Sequence, residues 1–351
     1  MESLSRSEIQ TFSEALLKWH RNTNKRSMPW KGIKNPYYIW LSEIILQQTR
    51  VDQGLAYYER FISRFPTLPD LAQANEQLVF NTWQGLGYYS RCRNLMKTAQ
   101  IIQKAYQGSF PETFEQLREL PGIGDYTAAA IASFAFKKPH AAVDGNVIRI
   151  LSRYMASAID PASVAGKRYF TETANTFLPK NQPDLFNQAM MDLGATVCTP
   201  KQTQCGICPL QTGCRAFHMG KVDAFPTKKK KNPLKIRHFH FAVFQYQDQL
   251  ALLRRVDNDI WADLQTPWLL ESENETVEWP VNKAFTGNMP EPMVVQQVLS
   301  HQKIIGRFYV LGDPGQAFMR QNGLNWVKIN SLKTLAFPRM VLVFLKNAGY
   351  L

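Results

Sequence analysis

Four cysteines within seventeen residues, Cys198-x6-Cys205-x2-Cys208-x5-Cys214, constrain this chain more than any other feature. Pro200, Gly206, Pro209 and Gly213 are interleaved with them and let the backbone turn tightly enough to surround a metal centre. Taken as residues alone, the four thiols suit either zinc or an iron-sulfur centre. Disulfides are the weaker reading, because the N-terminal MESLSRSEIQ lacks the hydrophobic segment of a secretory signal. Cys92, the fifth cysteine, is expected to be an ordinary thiol.

The second feature runs from Leu117 to Arg149. Pro121-Gly122-Ile123-Gly124 separates two helix-like segments, and its glycines allow a tight turn that brings backbone N–H groups close to an anion. Twenty residues beyond Gly124, Asp144 opens the helical pattern Val147, Ile150, Leu151, Tyr154. An Asp in that position is most simply an N-cap, and the turn most simply a helix connection. Together they suggest a backbone clamp with a carboxylate aimed at what it holds.

The first two hundred residues read as short helices broken by Pro and Gly, with no alternating strand pattern. Ile9, Phe12, Leu16 and Trp19 form one helical face, and a second helix spans Tyr37 to Gln48. In that helix Glu43 either faces inward, where desolvation raises its pKa and prepares a proton donor, or joins Gln47 and Arg50 in a polar outer stripe. Spacing alone favours the stripe. In Gly85-Leu86-Gly87-Tyr88-Tyr89-Ser90-Arg91, glycines, tyrosines and the Arg91/Arg93 pair suit a loop that wedges an aromatic into a duplex while cations hold phosphates.

Composition sets outer limits. A chain of 351 residues that is 45% hydrophobic can build two cores, and it has no apolar run long enough for a membrane span. The net charge of +13 divides as +7 for residues 1–220, +6 for 221–240 and zero for 241–351. Such placement suits a polyanion partner. The stretch 221–237 is a basic linker whose Lys228 to Lys231 run could add phosphate contacts. Beyond it, His238 to Phe244 and Gln249 to Arg255 read as paired strands, followed by a strand at Gly306 to Leu311 and a helix from Pro338 to Asn347.

These motifs together resemble the endonuclease III-like helix-hairpin-helix DNA glycosylases, and most closely the MutY adenine glycosylases. The hairpin with its Asp, the string WLSEIILQQTR, the loop GLGYYSR, the helix FNQAMMDLG and the cysteine spacing carry the resemblance. It covers residues 1–220 most strongly. It implies an all-α helix-hairpin-helix catalytic domain over 1–220 whose loop 198–214 holds a 4Fe-4S cluster on Cys198, Cys205, Cys208 and Cys214. The basic linker then leads to an α+β, MutT-like, non-hydrolytic lesion-recognition domain over 238–351. In Trp261-Ala262-Asp263-Leu264 the glycines common in relatives are absent.

By the same resemblance Glu43 is the catalytic acid and Asp144 faces the sugar of the extruded nucleotide, with Tyr126 and Asn146 as positioning groups. Gln48, Thr49, Leu86 and Tyr88 contact the lesion strand, and Gly122 and Gly124 hold a DNA phosphate, with room for a monovalent cation at the hairpin. Ser300 and His301 read 8-oxoguanine, although Leu299 replaces the usual aromatic; the plain alternative is that they end a strand. Arg26, Trp30 and Gln188 line the adenine pocket. Tyr126 stands where strand-nicking relatives carry lysine. The expectation is a monomeric, cytoplasmic, nucleoid-associated enzyme that removes adenine opposite 8-oxoguanine or guanine in double-stranded DNA without nicking it. The competing readings are a glycosylase for oxidised pyrimidines and a mismatch-binding protein without chemistry.

Overall fold

The computed structural model describes residues 4–227, 233–256, 259–280, 289–299 and 301–351. Ser300 and the Lys228 to Lys231 run therefore lie outside the described residues. The chain forms two compact units, one of Met1–Gln73 with Asn94–Lys230 and one of Ala74–Arg93 with Lys231–Leu351.

From the N-terminus the helices are α1 (Arg6–Asn22), α2 (Pro36–Leu46), α3 (Val51–Arg64), α4 (Leu68–Ala72), α5 (Glu76–Trp83), α6 (Tyr89–Ala105), α7 (Phe114–Arg118), α8 (Asp125–Phe136), α9 (Gly145–Tyr154), α10 (Val164–Phe177), α11 (Pro183–Thr196) and α12 (Arg215–His218). No strand occurs among described residues 4–227, so the all-α expectation holds there. Local chemistry starts many of these helices. Ser5 and Glu8 form a reciprocal capping box on α1, and Asn35 caps α2 with Pro36 in its first turn.

The first unit's core gathers the expected face of α1 against α9, α10 and α11. Phe12 and Leu16 are buried with Val147, Ile150, Phe170, Phe177 and Phe186, and the Phe12 and Phe177 rings stack at 4.1 Å. Where α9 meets α11 the approach is too close for a side chain. A methyl group added at Gly194 would lie 2.5 Å from Cβ of Asn146. That glycine lets the start of α9, with Asp144 and Asn146, press against α11.

The second unit is built on a seven-stranded mixed sheet of β1 (Lys235–Tyr246), β2 (Gln249–Arg254), β3 (Gln265–Thr266), β4 (Trp268–Ser272), β5 (Met293–Val298), β6 (Gln302–Leu311) and β7 (Asn325–Lys328), with α13 (Gln316–Gln321) and α14 (Arg339–Asn347). The order is β3-β2-β1-β6-β5, with β4 paired to β1 and β7 to β2. Strand β1 runs parallel to β6, Lys235 opposite Gln302 through Phe244 opposite Leu311, while the other pairs are antiparallel. Both faces of β1 are covered. Phe239, Phe241 and Val243 enter one core and Ala242 and Phe244 another. On the first face Phe241, Phe308 and Phe344 stack in line at 4.3 Å spacings.

Trp261 and Asp263 both have φ of 67°, a left-handed conformation that glycine adopts without strain. These are positions in the stretch where glycines were noted as missing, so the backbone keeps the bend without the residue that eases it. No helix among the described residues is long and apolar enough to cross a membrane.

Candidate active site

The first unit contains a cavity of about 690 Å³. Helix α2 brings Glu43 to its wall because Ile39, Trp40, Leu41, Ile44 and Ile45, on the sides around it, are all buried. The polar outer stripe allowed by spacing is therefore not what forms. The turn after α2 adds Gln48 and Thr49, α8 adds Tyr126, the start of α9 adds Asp144 and Asn146, and α11 adds Gln188. Arg26 and Trp30 close the wall from the loop before α2. Nine of the residues singled out from the sequence thus share one cavity.

Asp144 is both the cap and a wall residue. One carboxylate oxygen accepts the backbone N–H groups of Asn146 at 2.9 Å and Val147 at 2.8 Å, and the other accepts the Asn146 side-chain amide at 2.7 Å. The Asn146 carbonyl oxygen accepts from Arg149 at 2.7 Å, and Arg149 also donates to the carbonyls of Gly194 and Cys198, each at 2.7 Å. The carboxylate is thereby fixed in direction through two further side chains.

The two acids differ in environment. Burial in an apolar wall pushes the Glu43 carboxyl up to about 7, with the Tyr126 hydroxyl opposing the rise and Asp144 adding to it. Burial also raises Asp144 above the usual carboxylate value, but Val147, the Asn146 side chain and the Asn146 backbone pull it back by hydrogen bonding. Among the described residues Glu43 meets the Tyr126 hydroxyl rather than such a network of donors. It holds its proton near neutral pH while the donors around Asp144 favour its anion.

The hairpin is formed by α7, the turn through Gly122 and α8. Gly122 has φ of 76°, and a methyl group there would sit 2.7 Å from Cβ of Asn94, so only glycine fits. Gly124 caps α8 without any side-chain bond, and open space lies where its Cβ would be. The first N–H groups of α8 therefore meet no capping side chain, the arrangement that favours an anion. Nothing in this geometry singles out a monovalent cation.

The loop GLGYYSR lies in the second unit. Leu86 is buried, whereas Tyr88 is 40% exposed and has φ of 48°. Gln48, in the first unit, is also left-handed with φ of 55°. The Arg91/Arg93 pair is used inside the protein rather than presented to phosphates. Arg91 is buried over the Trp83 and Tyr88 rings, and Arg93 pairs with Asp263 at 3.4 Å and donates to the Ala262 carbonyl at 2.8 Å. His301 is exposed in the turn between β5 and β6.

Cys198, Cys205, Cys208 and Cys214 line one small cavity, and none is in a disulfide. Buried Arg153 donates to Cys198 Sγ at 3.3 Å and to the Thr199 carbonyl at 2.8 Å, a cation suited to a thiolate. Sequence reasoning missed Arg149, Arg153 and Asp192. The only signal for Asp192 was an acid inside the apolar run MMDLG, four residues after Gln188.

Over residues 41–171 the chain matches the family described as HhH-GPD superfamily base excision DNA repair protein. It is 32% identical over 333 residues to the adenine DNA glycosylase of Buchnera aphidicola subsp. Baizongia pistaciae, with 94% of each chain covered. A solved thermostable thymine-DNA glycosylase aligns with a TM-score of 0.56 and 26% identity, over 61% of this chain and 98% of that one. Endonuclease III in a trapped covalent intermediate with DNA aligns with a TM-score of 0.53 and 23% identity, over 62% and 99%, which shows a common fold for the helical unit.

The raised pKa of Glu43 has a consequence for stability. Below the unfolded value both states carry the proton; as pH rises toward about 7 the unfolded chain ionises while the folded one does not, so stability is lost. Glu43→Gln removes this loss. Its stabilising effect in urea unfolding should grow by about 1 to 2 kcal/mol between about pH 5.5 and about pH 8. An effect that is independent of pH would contradict the assigned shift.

Proposed function

The chain belongs to the adenine DNA glycosylases of the helix-hairpin-helix base excision repair superfamily, and from that premise we propose that it excises adenine mispaired with 8-oxoguanine or guanine without nicking the strand. The observation that carries the chemistry is the pairing, on one cavity, of a carboxyl held protonated with a carboxylate held by hydrogen bonds. A duplex base must be extruded to reach such a cavity, at a cost of a few kcal/mol that is smallest at a mismatch.

In this reading Glu43 delivers its proton to adenine N7 as the C1′–N9 bond breaks, and the bonding electrons leave with the base. The sugar becomes cationic at C1′, and Asp144 is the anion beside it. Water then adds to C1′ and returns its proton to Glu43. This is the division of labour between two carboxyl groups that glycosidases use. Asn146 and Arg149 keep Asp144 aimed, and Tyr126 adjusts Glu43. Because Tyr126 replaces an amine at the hairpin, no Schiff base forms there and the abasic strand stays intact.

We assign residues 1–220 to catalysis, 221–237 to a linker and 238–351 to a MutT-like lesion-reading domain. The exposure of His301 in the β5–β6 turn supports the last, as does the mixed sheet. For the four cysteines we assign a 4Fe-4S cluster. A cluster spreads its thiolates over several irons, so they need only surround a volume, and the shared cavity with Arg153 against Cys198 suits its charge. When bound, it would order the 198–214 loop and take no part in bond cleavage.

Single-turnover incubation with an adenine:8-oxoguanine duplex tests the reading. The wild type should release adenine and leave a strand that breaks only after alkali. Glu43→Gln should keep DNA binding and lose about 100-fold or more in rate, as expected for a general acid, and Asp144→Asn should lose a similar amount. Near-normal excision by either variant, or a borohydride-trapped Schiff base, would sink it. The purified protein should contain iron and sulfide in equal amounts; a colourless protein with one zinc would refute the cluster.

A further inference from the structure

Behind the cavity wall lies a carboxylate that never reaches the cavity. The side chain of Asp192 is fully buried, yet it accepts four hydrogen bonds. Arg26 at 2.9 Å and the Gln188 amide nitrogen at 3.1 Å share Oδ1, while Asn24 at 2.7 Å and Lys31 at 2.8 Å share Oδ2. Arg26, Lys31 and Gln188 line the cavity. Asp192 thus ties three wall residues to one point.

The chemistry of these bonds fixes a direction. Arg26 and Lys31 can only donate, so they meet Asp192 as donors and its carboxylate oxygens serve as acceptors. Gln188 must therefore turn its NH2 inward to Asp192. Its carbonyl Oε1 is the amide atom left for the cavity, and among the described residues Oε1 accepts no protein hydrogen bond. Arg26 spends one N–H on Asp192 and can only donate with the rest. The wall so presents an acceptor beside cationic donors. Adenine's Watson–Crick edge supplies the complement, an amine donor next to a ring-nitrogen acceptor, whereas hypoxanthine supplies the reverse.

We infer that Asp192 is a positioning residue that locks the Gln188 amide with its oxygen toward the cavity, and by this makes the site select a 6-aminopurine over a 6-oxopurine. The inference rests on the adenine-excision reading above. Without Asp192 the amide could rotate and satisfy either edge. A residue that merely supported the fold would affect both bases alike.

The test compares single-turnover excision of adenine and of hypoxanthine from the same position opposite 8-oxoguanine, using the full-length protein. Wild type should prefer adenine. Asp192→Asn and Gln188→Met should each lower the adenine-to-hypoxanthine rate ratio by about ten-fold or more, and Asp192→Asn should change the ratio no further when Gln188→Met is already present. A ratio left at the wild-type value in either variant, or ratio losses that multiply in the double variant, would overturn the inference. If Asp192→Asn does not fold, Gln188→Met decides: an amide held as acceptor predicts slower adenine excision with hypoxanthine excision no slower, and a retained ratio overturns it. A wild type that excises neither base overturns the adenine reading itself, and the inference with it.

Discussion

A carboxyl group taken out of water must either keep its proton or find donors enough to replace the solvent. The helical unit uses both solutions within one cavity. Glu43 sits on a helix whose neighbouring side chains are buried hydrocarbons, so it keeps its proton near neutrality. Asp144 sits at the start of a helix, where two N–H groups and an amide hold it. The separation of their roles follows from these surroundings alone, since chemically the two groups are nearly the same.

Holding that difference requires the backbone around it to be placed closely. Gly194 permits α9 and α11 to meet, and Arg149 joins Asn146 to the carbonyls of Gly194 and Cys198, so the cysteine loop and the capped carboxylate share one brace. Asp192 does the corresponding work behind Arg26, Lys31 and Gln188, with cations in place of helix amides. The left-handed backbones of Gln48 and Tyr88 fall in the turns read as DNA contacts, where strain of about 1 to 3 kcal/mol is commonly kept for function.

Much of this was legible in the sequence, and the limits have physical causes. The cysteine spacing, the PGIG turn and the Asp144 cap are local signals, and local signals survive reading in one dimension. The cap and the aimed carboxylate are alternative readings of Asp144 in the sequence; in the structure the capping carboxylate also lines the cavity. Glu43 was not legible from periodicity, because a helix buried on nearly all sides has no polar face to define a direction. Arg91 and Arg93 were read as phosphate ligands because their charge is visible in sequence but their partners, Trp83, Tyr88 and Asp263, are not. The parallel pairing of β1 with β6 joins residues more than sixty positions apart, and no local pattern announces it. Asp192 looked like one acid in an apolar run, and its four donors come from the distant segment between α1 and α2 and from its own helix.

The central claim is that a protonated Glu43 limits bond cleavage. Its most direct test is the single-turnover rate of adenine excision as a function of pH, measured with enzyme in saturating excess over an adenine:8-oxoguanine duplex. The account predicts a rate that falls as pH rises, through a midpoint at or above about 7, as Glu43 loses its proton. A rate that stays flat or increases between about pH 6 and about pH 9 would contradict it.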